Sequence, residues 1–279
     1  MRSSPSSHSQ HTRRTCTPRF APTTSEDNAI QCNNHFNHTY RDDQPADSIV
    51  RAEVQKLHDT LASWYQGLGL PRPSIRASNH GGGAVWLPGY FLGGGALPYD
   101  LELMVRLSKG HFGRRARSIV GIGNAFGYST LAFAVLFPRA RVDVMDAEVE
   151  GTHNHNGSQW TRTISAAHGL EVNLHIGRSP ADVPKIFSKN GDLPIDIAFI
   201  DGLHTNAQQY ADWSALHPHL RKAGHVVILH DVRLSSMQQS LKKIQEEYTG
   251  RVWEYRGVNY CNRFGTHLAT TVLHDPFES

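Results

Sequence analysis

Cysteine is scarce in this chain. Cys16, Cys32 and Cys261 are the three among 279 residues, and no two of them form a CxxC pair. That excludes a disulfide framework and a cysteine-rich zinc site, and free thiols in a reducing compartment are expected. An excess of one charge is also missing. Against 28 Lys and Arg stand 25 Asp and Glu, a net charge of +3. That balance is too even for a dedicated nucleic-acid binder. A clean apolar run is missing as well. No charged residue occurs from Ser118 to Pro138, a stretch long enough to span a bilayer. Gly121, Gly123, Asn124, Gly127, Ser129 and Thr130 interrupt it, so a strand, a tight turn and a buried helix are expected, and no membrane partner. No secretory hydrophobic region is recognisable, and a cytoplasmic protein is expected. With 39% apolar and 19% charged residues, most of the chain can bury a core, which excludes wholesale disorder.

What is there divides into a tail and a body. Residues 1–46 are rich in Ser, Thr, His, Asn, Gln and Pro and poor in aliphatics. They read as a disordered tail. Arg2, Arg13, Arg14 and Arg19 precede the first acidic residue, Glu26, as in a transit peptide, but Pro5, Pro18 and Pro22 argue against a targeting helix. Residues 47–116 read as N-terminal helices plus a glycine-rich lid or substrate loop. Val50, Val54, Leu57, Leu61 and Trp64 recur at helical spacing, and Gly67 can close that helix. This helix could also serve a homodimer interface. From His80 to Tyr99, two glycine triplets flank large apolar residues, a poor helix and a poor strand. Trp86, Tyr90 and Phe91 there suit either a substrate wall or packing on the sheet. A short helix with Leu101, Met104 and Val105 follows and stops at Gly110.

Residues 117–279 alternate regularly. Strand-like runs occur at SIVGI (118–122), RVDVMD (141–146), EVNLHI (171–176), IDIAFID (195–201) and HVVILHD (225–231). Helical stretches separate them. A last helix around 234–249 leads to two late strand candidates, RVWEYRG and THLATTVL. This pattern predicts an α/β fold: a Rossmann-like, doubly wound, mostly parallel seven-stranded sheet with helices on both faces. Ligands in such sheets bind beyond the carboxyl ends of the strands.

The first strand runs into GIGNAFGYST (121–130), where glycines permit a tight turn and close approach of a ligand to the backbone. Asp146 ends the second strand, 23 positions after Gly123. A carboxylate there can accept hydrogen bonds from ribose hydroxyls, or cap a helix. Pattern and context together resemble the class I S-adenosylmethionine (SAM) methyltransferases. Later motifs sharpen the likeness. IDGLH (200–204) and the stretch from Leu220 through Gly224 to His230 and Asp231 resemble the catechol and macrocin O-methyltransferase-like, small-molecule branch. The resemblance covers about residues 117–235. It implies SAM contacts from Gly121, Gly123, Asn124, Phe126, Gly127 and Ser129, from Asp146 and Ala147, from Ser179, and from Asp201. Gly121 stands where that family usually has an acidic residue, and Ala125 where it usually has glycine.

The fourth and fifth strand ends bring metal-capable side chains to one sheet edge. Carboxylates suit Mg²⁺, Ca²⁺ or Mn²⁺, and a histidine tilts the choice toward Mn²⁺, Fe²⁺ or Zn²⁺. The resemblance implies ligands at Asp201, His230 and Asp231, with Mg²⁺ or Mn²⁺ stabilising a substrate oxyanion. The alternative is that Asp201 contacts cofactor or solvent and His230 caps a strand. His204, three residues after Asp201, is the candidate general base. Ser179 with Pro180 also reads as an ordinary helix start. His153 and His155, like His217 and His219, lack the i, i+4 spacing of a helical zinc site and read as solvated.

The expected function is SAM-dependent O-methylation of a small hydroxylated molecule, as in secondary metabolism, assisted by a divalent metal. A second reading keeps SAM and changes the reaction, for example to intramolecular cyclisation releasing methylthioadenosine. A nicotinamide-dependent reductase is disfavoured because no Tyr-x-x-x-Lys pair exists in the chain. A nucleic-acid amino-methyltransferase is disfavoured because DGLH stands where Asn/Asp-Pro-Pro-Tyr would be. A scaffold with a dead cofactor site is disfavoured by the presence of Asp146, Asp201 and His204.

Overall fold

Val50, Val54, Leu57, Leu61 and Trp64 do share one side of a helix, α1 (Pro45–Gly67), with Leu57, Leu61 and Tyr65 buried. The computed structural model describes residues 45–77, 83–87, 90–91, 98–109, 111–149, 154–188, 193–232, 234–248, 251–255 and 270–274. The expected tail (save its last two residues), the three cysteines, Gly110 and His153 lie outside them. After α1 the chain forms a small antiparallel sheet of β1 (Ser74–Ala77), β2 (Gly83–Leu87) and β3 (Tyr90–Phe91). Part of the glycine-rich stretch is therefore strand, against the reading of it as neither helix nor strand. The run GAVWL between the glycines carries Val and Trp, residues that suit a pleated surface, and it pairs with β1 from Trp86 opposite Ser74 to Gly83 opposite Ala77. The side chains of Trp86, Tyr90 and Phe91 lie outside the described residues. Two helices follow, α2 (Pro98–Lys109) and the short α3 (His111–Arg115).

The remaining elements alternate as the sequence pattern predicts. They are β4 (Ser118–Ile122), α4 (Tyr128–Leu136), β5 (Arg141–Asp146), α5 (Asn154–Ala167), β6 (Val172–Ile176), α6 (Pro184–Ser188), β7 (Ile197–Ile200), α7 (Asn206–Leu216), β8 (Val226–Leu229), α8 (Gln238–Glu247), β9 (Arg251–Tyr255) and β10 (Thr270–His274). They build a seven-stranded sheet in the order β6-β5-β4-β7-β8-β10-β9. The first five strands in that order pair in parallel, and β10 runs antiparallel to both its neighbours.

Alternation along each strand splits the core into two layers. Ile119, Val142, Ile197, Phe199, Val226 and Ile228 face α1, α2, α4 and α5. Val120, Ile122, Met145, Ala198, Ile200, Val227 and Leu229 face α6, α7 and α8. Each large aliphatic removed from water contributes about 1.5–3 kcal/mol, so both faces hold the sheet. The buried Asp196 ties the entries of β4 and β7 together, its Oδ2 accepting from the backbone N–H groups of Arg117 at 2.6 Å and Ser118 at 3.0 Å. From β4 the chain winds outward through β5 to β6, then returns to β7 on the other side of β4. That reversal opens a crevice at the carboxyl ends of β4 and β7, where open α/β sheets bind ligands.

Candidate functional site

The loop after β4 is built around one carboxylate. Asp146, at the end of β5, accepts through Oδ2 from the N–H groups of Asn124 at 2.7 Å and Ala125 at 3.1 Å, and through Oδ1 from Glu148 N–H at 2.6 Å. Three of the roughly four acceptor positions of a carboxylate are thereby used, and the rest of the group lines the crevice. Asn124 is buried and closes the turn from inside. Its Oδ1 accepts from Thr130 Oγ1 at 2.8 Å, its Nδ2 donates to Thr161 Oγ1 at 3.1 Å, and its carbonyl accepts from Gly127 N–H at 2.7 Å. Gly123 has φ +95°, and a Cβ there would lie 2.1 Å from the Asp201 carbonyl oxygen. Glycine is therefore required twice, by conformation and by the approach of two backbones. Ala125 adopts φ +43° without that freedom.

The crevice has a volume of about 530 Å³, within the usual range for small-molecule sites of about 300–1,000 Å³. Its lining includes Gly123, Asn124, Ala125, Asp146, Ala147, Val149, Ser179, Asp201, Leu203, His204, Gln208 and Asp212. Asp212 is buried, and its Oδ1 accepts from Ser179 Oγ at 2.5 Å and Gln208 Nε2 at 2.6 Å. Burial pushes its carboxyl up, an effect those two hydrogen bonds only partly offset.

Beyond Asp201 two imidazoles grip two carboxylates. His204 Nε2 stands 3.3 Å from Asp201 Oδ1 and 3.3 Å from Asp231 Oδ2, on the crevice side, with 38% of its side chain exposed. Its hydrogen bond to Asp201 raises its pKa above the ordinary histidine value, outweighing partial burial. Behind the pair, the buried His230 places Nδ1 2.9 Å from Asp201 Oδ1 and 3.3 Å from Asp231 Oδ1. Burial alone would lower its pKa, but the charges of Asp201, Asp231 and Asp100 raise it well above the ordinary value. Burial likewise pushes Asp231 up, and the charge of His230 reverses this and holds it low. Asp231 has φ +55°, a strained conformation of the kind that gathers at functional sites.

Of the sequence-predicted cofactor residues, Gly123, Asn124, Asp146, Ala147, Ser179 and Asp201 line the crevice, as does His204. Four others sit behind it. Gly121 lies inside β4 against Val144. Phe126 packs on Trp160 with ring centroids 5.7 Å apart. Gly127 caps α4 and Ser129 is buried in its first turn. Of the predicted metal residues, Asp201 and Asp231 converge, and among the described residues the group offering one ligand atom each within 4.8 Å is Asp201, His204 and Asp231. His230 is their buried neighbour. Ser179 starts no helix; α6 begins at Pro184. The other histidines are accounted for locally. His155 meets Glu148 at 2.8 Å, His217 stacks on Trp213 and His219 on Phe187. Sequence reading missed Asp212 and Gln208, whose i, i+4 spacing on α7 was the available signal. It also missed Gly157, where a Cβ would lie 1.8 Å from the Ala125 carbonyl oxygen.

No described helix is long and apolar enough to cross a membrane. Residues 120–232 match a family model described as a methyltransferase domain. No curated protein matches the sequence. Among solved structures the fold is similar to CalS11, a TDP-rhamnose 3'-O-methyltransferase of calicheamicin biosynthesis, at 16% identity over 83% of this chain and 95% of that one, with a TM-score of 0.51. A Corynebacterium glutamicum protein is similar at 15% identity over 83% and 98%, TM-score 0.50. The O-methyltransferase TomG from Streptomyces achromogenes, solved with SAM, is similar at 20% identity over 79% and 90%, TM-score 0.49. Residues 120–232 thus match a methyltransferase domain model, and the fold is the one these structures share.

Proposed function

We propose that this chain transfers the methyl group of SAM to a hydroxyl of a small molecule. The observation that carries the reading is the position of His204, an imidazole at the crevice wall held by two carboxylates beside the glycine loop. The crevice fits SAM: its volume is sufficient, Gly123 leaves a cradle that a Cβ would fill, and Asp146 keeps acceptor capacity toward it. Gly123, Asn124, Asp146, Ala147, Ser179 and Asp201 would hold the cofactor. Bound there, SAM supplies an electrophilic methyl on a sulfonium that needs alignment more than activation.

The chain's own task is to deprotonate and orient the acceptor. His204 Nε2 hydrogen-bonds Asp201, which leaves Nδ1 to take the substrate proton. Asp201 then stabilises the imidazolium, just as it raises the basicity of His204 at rest. The same residues also fit a divalent cation, since Asp201, His204 and Asp231 each offer a ligand atom; with an ion there His204 would be a ligand rather than the base. The oxygen and nitrogen donors suit Mn²⁺, with Mg²⁺ as the harder alternative. Such an ion would stabilise the developing oxyanion of the substrate. In this reading His230 is a support rather than a ligand, because its ring is closed off from the crevice. The cysteine usage of the sequence supports a cytoplasmic setting.

The test is incubation with SAM and a panel of phenols, catechols and sugar hydroxyls, with analysis of the nucleoside product. The expected product is S-adenosylhomocysteine with a methylated acceptor, and His204→Ala is expected to lower turnover about 10²–10⁴-fold. Methylthioadenosine instead would mean that SAM is consumed by cyclisation, and would overturn methyl transfer.

A further inference from the structure

The buried side of the site has a member that no sequence motif marks. Asp100 lies in the first turn of α2 and is 1% exposed. Its Oδ2 is 2.8 Å from His230 Nε2. One buried imidazole thus stands among three buried carboxylates drawn from three places: α2, the end of β7 and the end of β8. His230 Nδ1 and Asp231 Oδ1 are close, yet neither completes an aligned hydrogen bond. With the Nε2 proton directed at Asp100, the opposite nitrogen is presented to Asp201 and Asp231. A carboxylate on the outer nitrogen fixes the tautomer and orientation of a metal-ligating histidine, and Asp100 can do the same for His230, which supports the ligands. Asp100 itself does not line the crevice.

We propose that Asp100 is a positioning residue: by holding His230 Nε2 it fixes the imidazole against Asp201 and Asp231, and so sets the place of the two carboxylates that face His204. The inference rests on the cation reading given above. The carboxylate pair is gripped from both sides, by His204 from the crevice and by His230 from the core. His230 can keep its side fixed only while Asp100 anchors the ring. Without Asp100, Nε2 loses its acceptor and the ring is held only through Nδ1, at Asp201 and Asp231.

The experiment uses the full chain, freed of metal with a chelator, and two calorimetric titrations, one with Mn²⁺ alone and one with SAM alone. Asp100→Ala is expected to weaken Mn²⁺ binding about 10–100-fold and SAM binding far less, because Asp201 is one of six residues that would hold the cofactor. Asp100→Asn keeps an acceptor oxygen for Nε2 and is expected to show an intermediate loss. Unchanged Mn²⁺ affinity in Asp100→Ala overturns the inference alone. If Asp100→Ala fails to bind SAM and so has lost its fold, Asp100→Leu, which fills the space without an acceptor for Nε2, takes its place, and wild-type Mn²⁺ affinity there overturns the inference. Wild-type protein that binds SAM but no Mn²⁺ overturns the inference together with the cation reading, and leaves methyl transfer standing.

Discussion

Replacing Gly123 with alanine tests the glycine loop at its tightest point. The new Cβ would sit 2.1 Å from the Asp201 carbonyl oxygen and 2.9 Å from its carbon, in a backbone at φ +95°. The left-handed conformation costs an L-residue roughly 1–2 kcal/mol. Forcing β4's loop away from the end of β7 adds about 1–3 kcal/mol of overpacking. The sum, about 2–5 kcal/mol, corresponds to a fall in melting temperature of about 4–20 °C for a domain of this size. The same displacement moves Asp201 and the crevice wall, so SAM affinity is expected to fall as well. Ala125→Gly supplies the opposite sign two residues away. It relieves an alanine held at φ +43°, a gain reduced by the extra entropy of glycine in the unfolded chain. The net is a stabilisation of at most about 1 kcal/mol. Thermal melts and SAM titrations of the two variants decide the matter. A Gly123→Ala protein with wild-type melting and wild-type SAM affinity would refute the reasoning.

Three further outcomes follow from the geometry. Asp146→Ala removes the acceptor for three backbone N–H groups; each orphaned donor costs about 1–3 kcal/mol where water cannot reach it, and loss of SAM binding is expected to accompany a lower melting temperature, whereas intact SAM binding would contradict the role given to this carboxylate. His58 on α1, hydrogen-bonded to Tyr128 at 2.7 Å, is held below the ordinary histidine pKa chiefly by burial. The unfolded chain therefore binds the extra proton first, so stability present above pH of about 6.5 is lost as pH falls through that value toward the lowered folded one. His58→Gln should flatten this part of the melting-temperature profile, and an unchanged slope would assign it elsewhere. Phe199, fully buried between Phe133 and His230, should cost about 3–5 kcal/mol on truncation to alanine in urea denaturation, and a cost below about 1 kcal/mol would mean that the β7 core collapses to fill the gap.

The sheet was legible because strand and helix periods alternate cleanly from Ser118 onward. All five parallel strands fall within the apolar runs read from the sequence, and the last two strands overlap the late candidates. The glycine-rich stretch was less legible because glycine triplets mask a short strand whose pairing partner, β1, is fixed only in three dimensions. At the site, residues that touch the crevice through backbone approach or strand-end position were found, Gly123, Asp146, Asp201 and His204 among them. Gly121 within β4, Phe126 on Trp160, and Gly127 and Ser129 at the start of α4 share the same motif but lie behind the crevice, and a motif does not separate contact from support. Asp100 was invisible for another reason. It lies 130 positions from His230, and an acid in the first turn of a helix reads by itself as a favourable dipole contact.

Titration of SAM into the wild-type protein by calorimetry, with NAD as the control, addresses the central claim most directly. The account predicts saturable binding of one SAM per chain, weakened in Gly123→Ala and in Asp146→Ala, and no saturable heat from NAD. Absence of SAM binding with and without Mn²⁺, or saturable binding of NAD in its place, would contradict it.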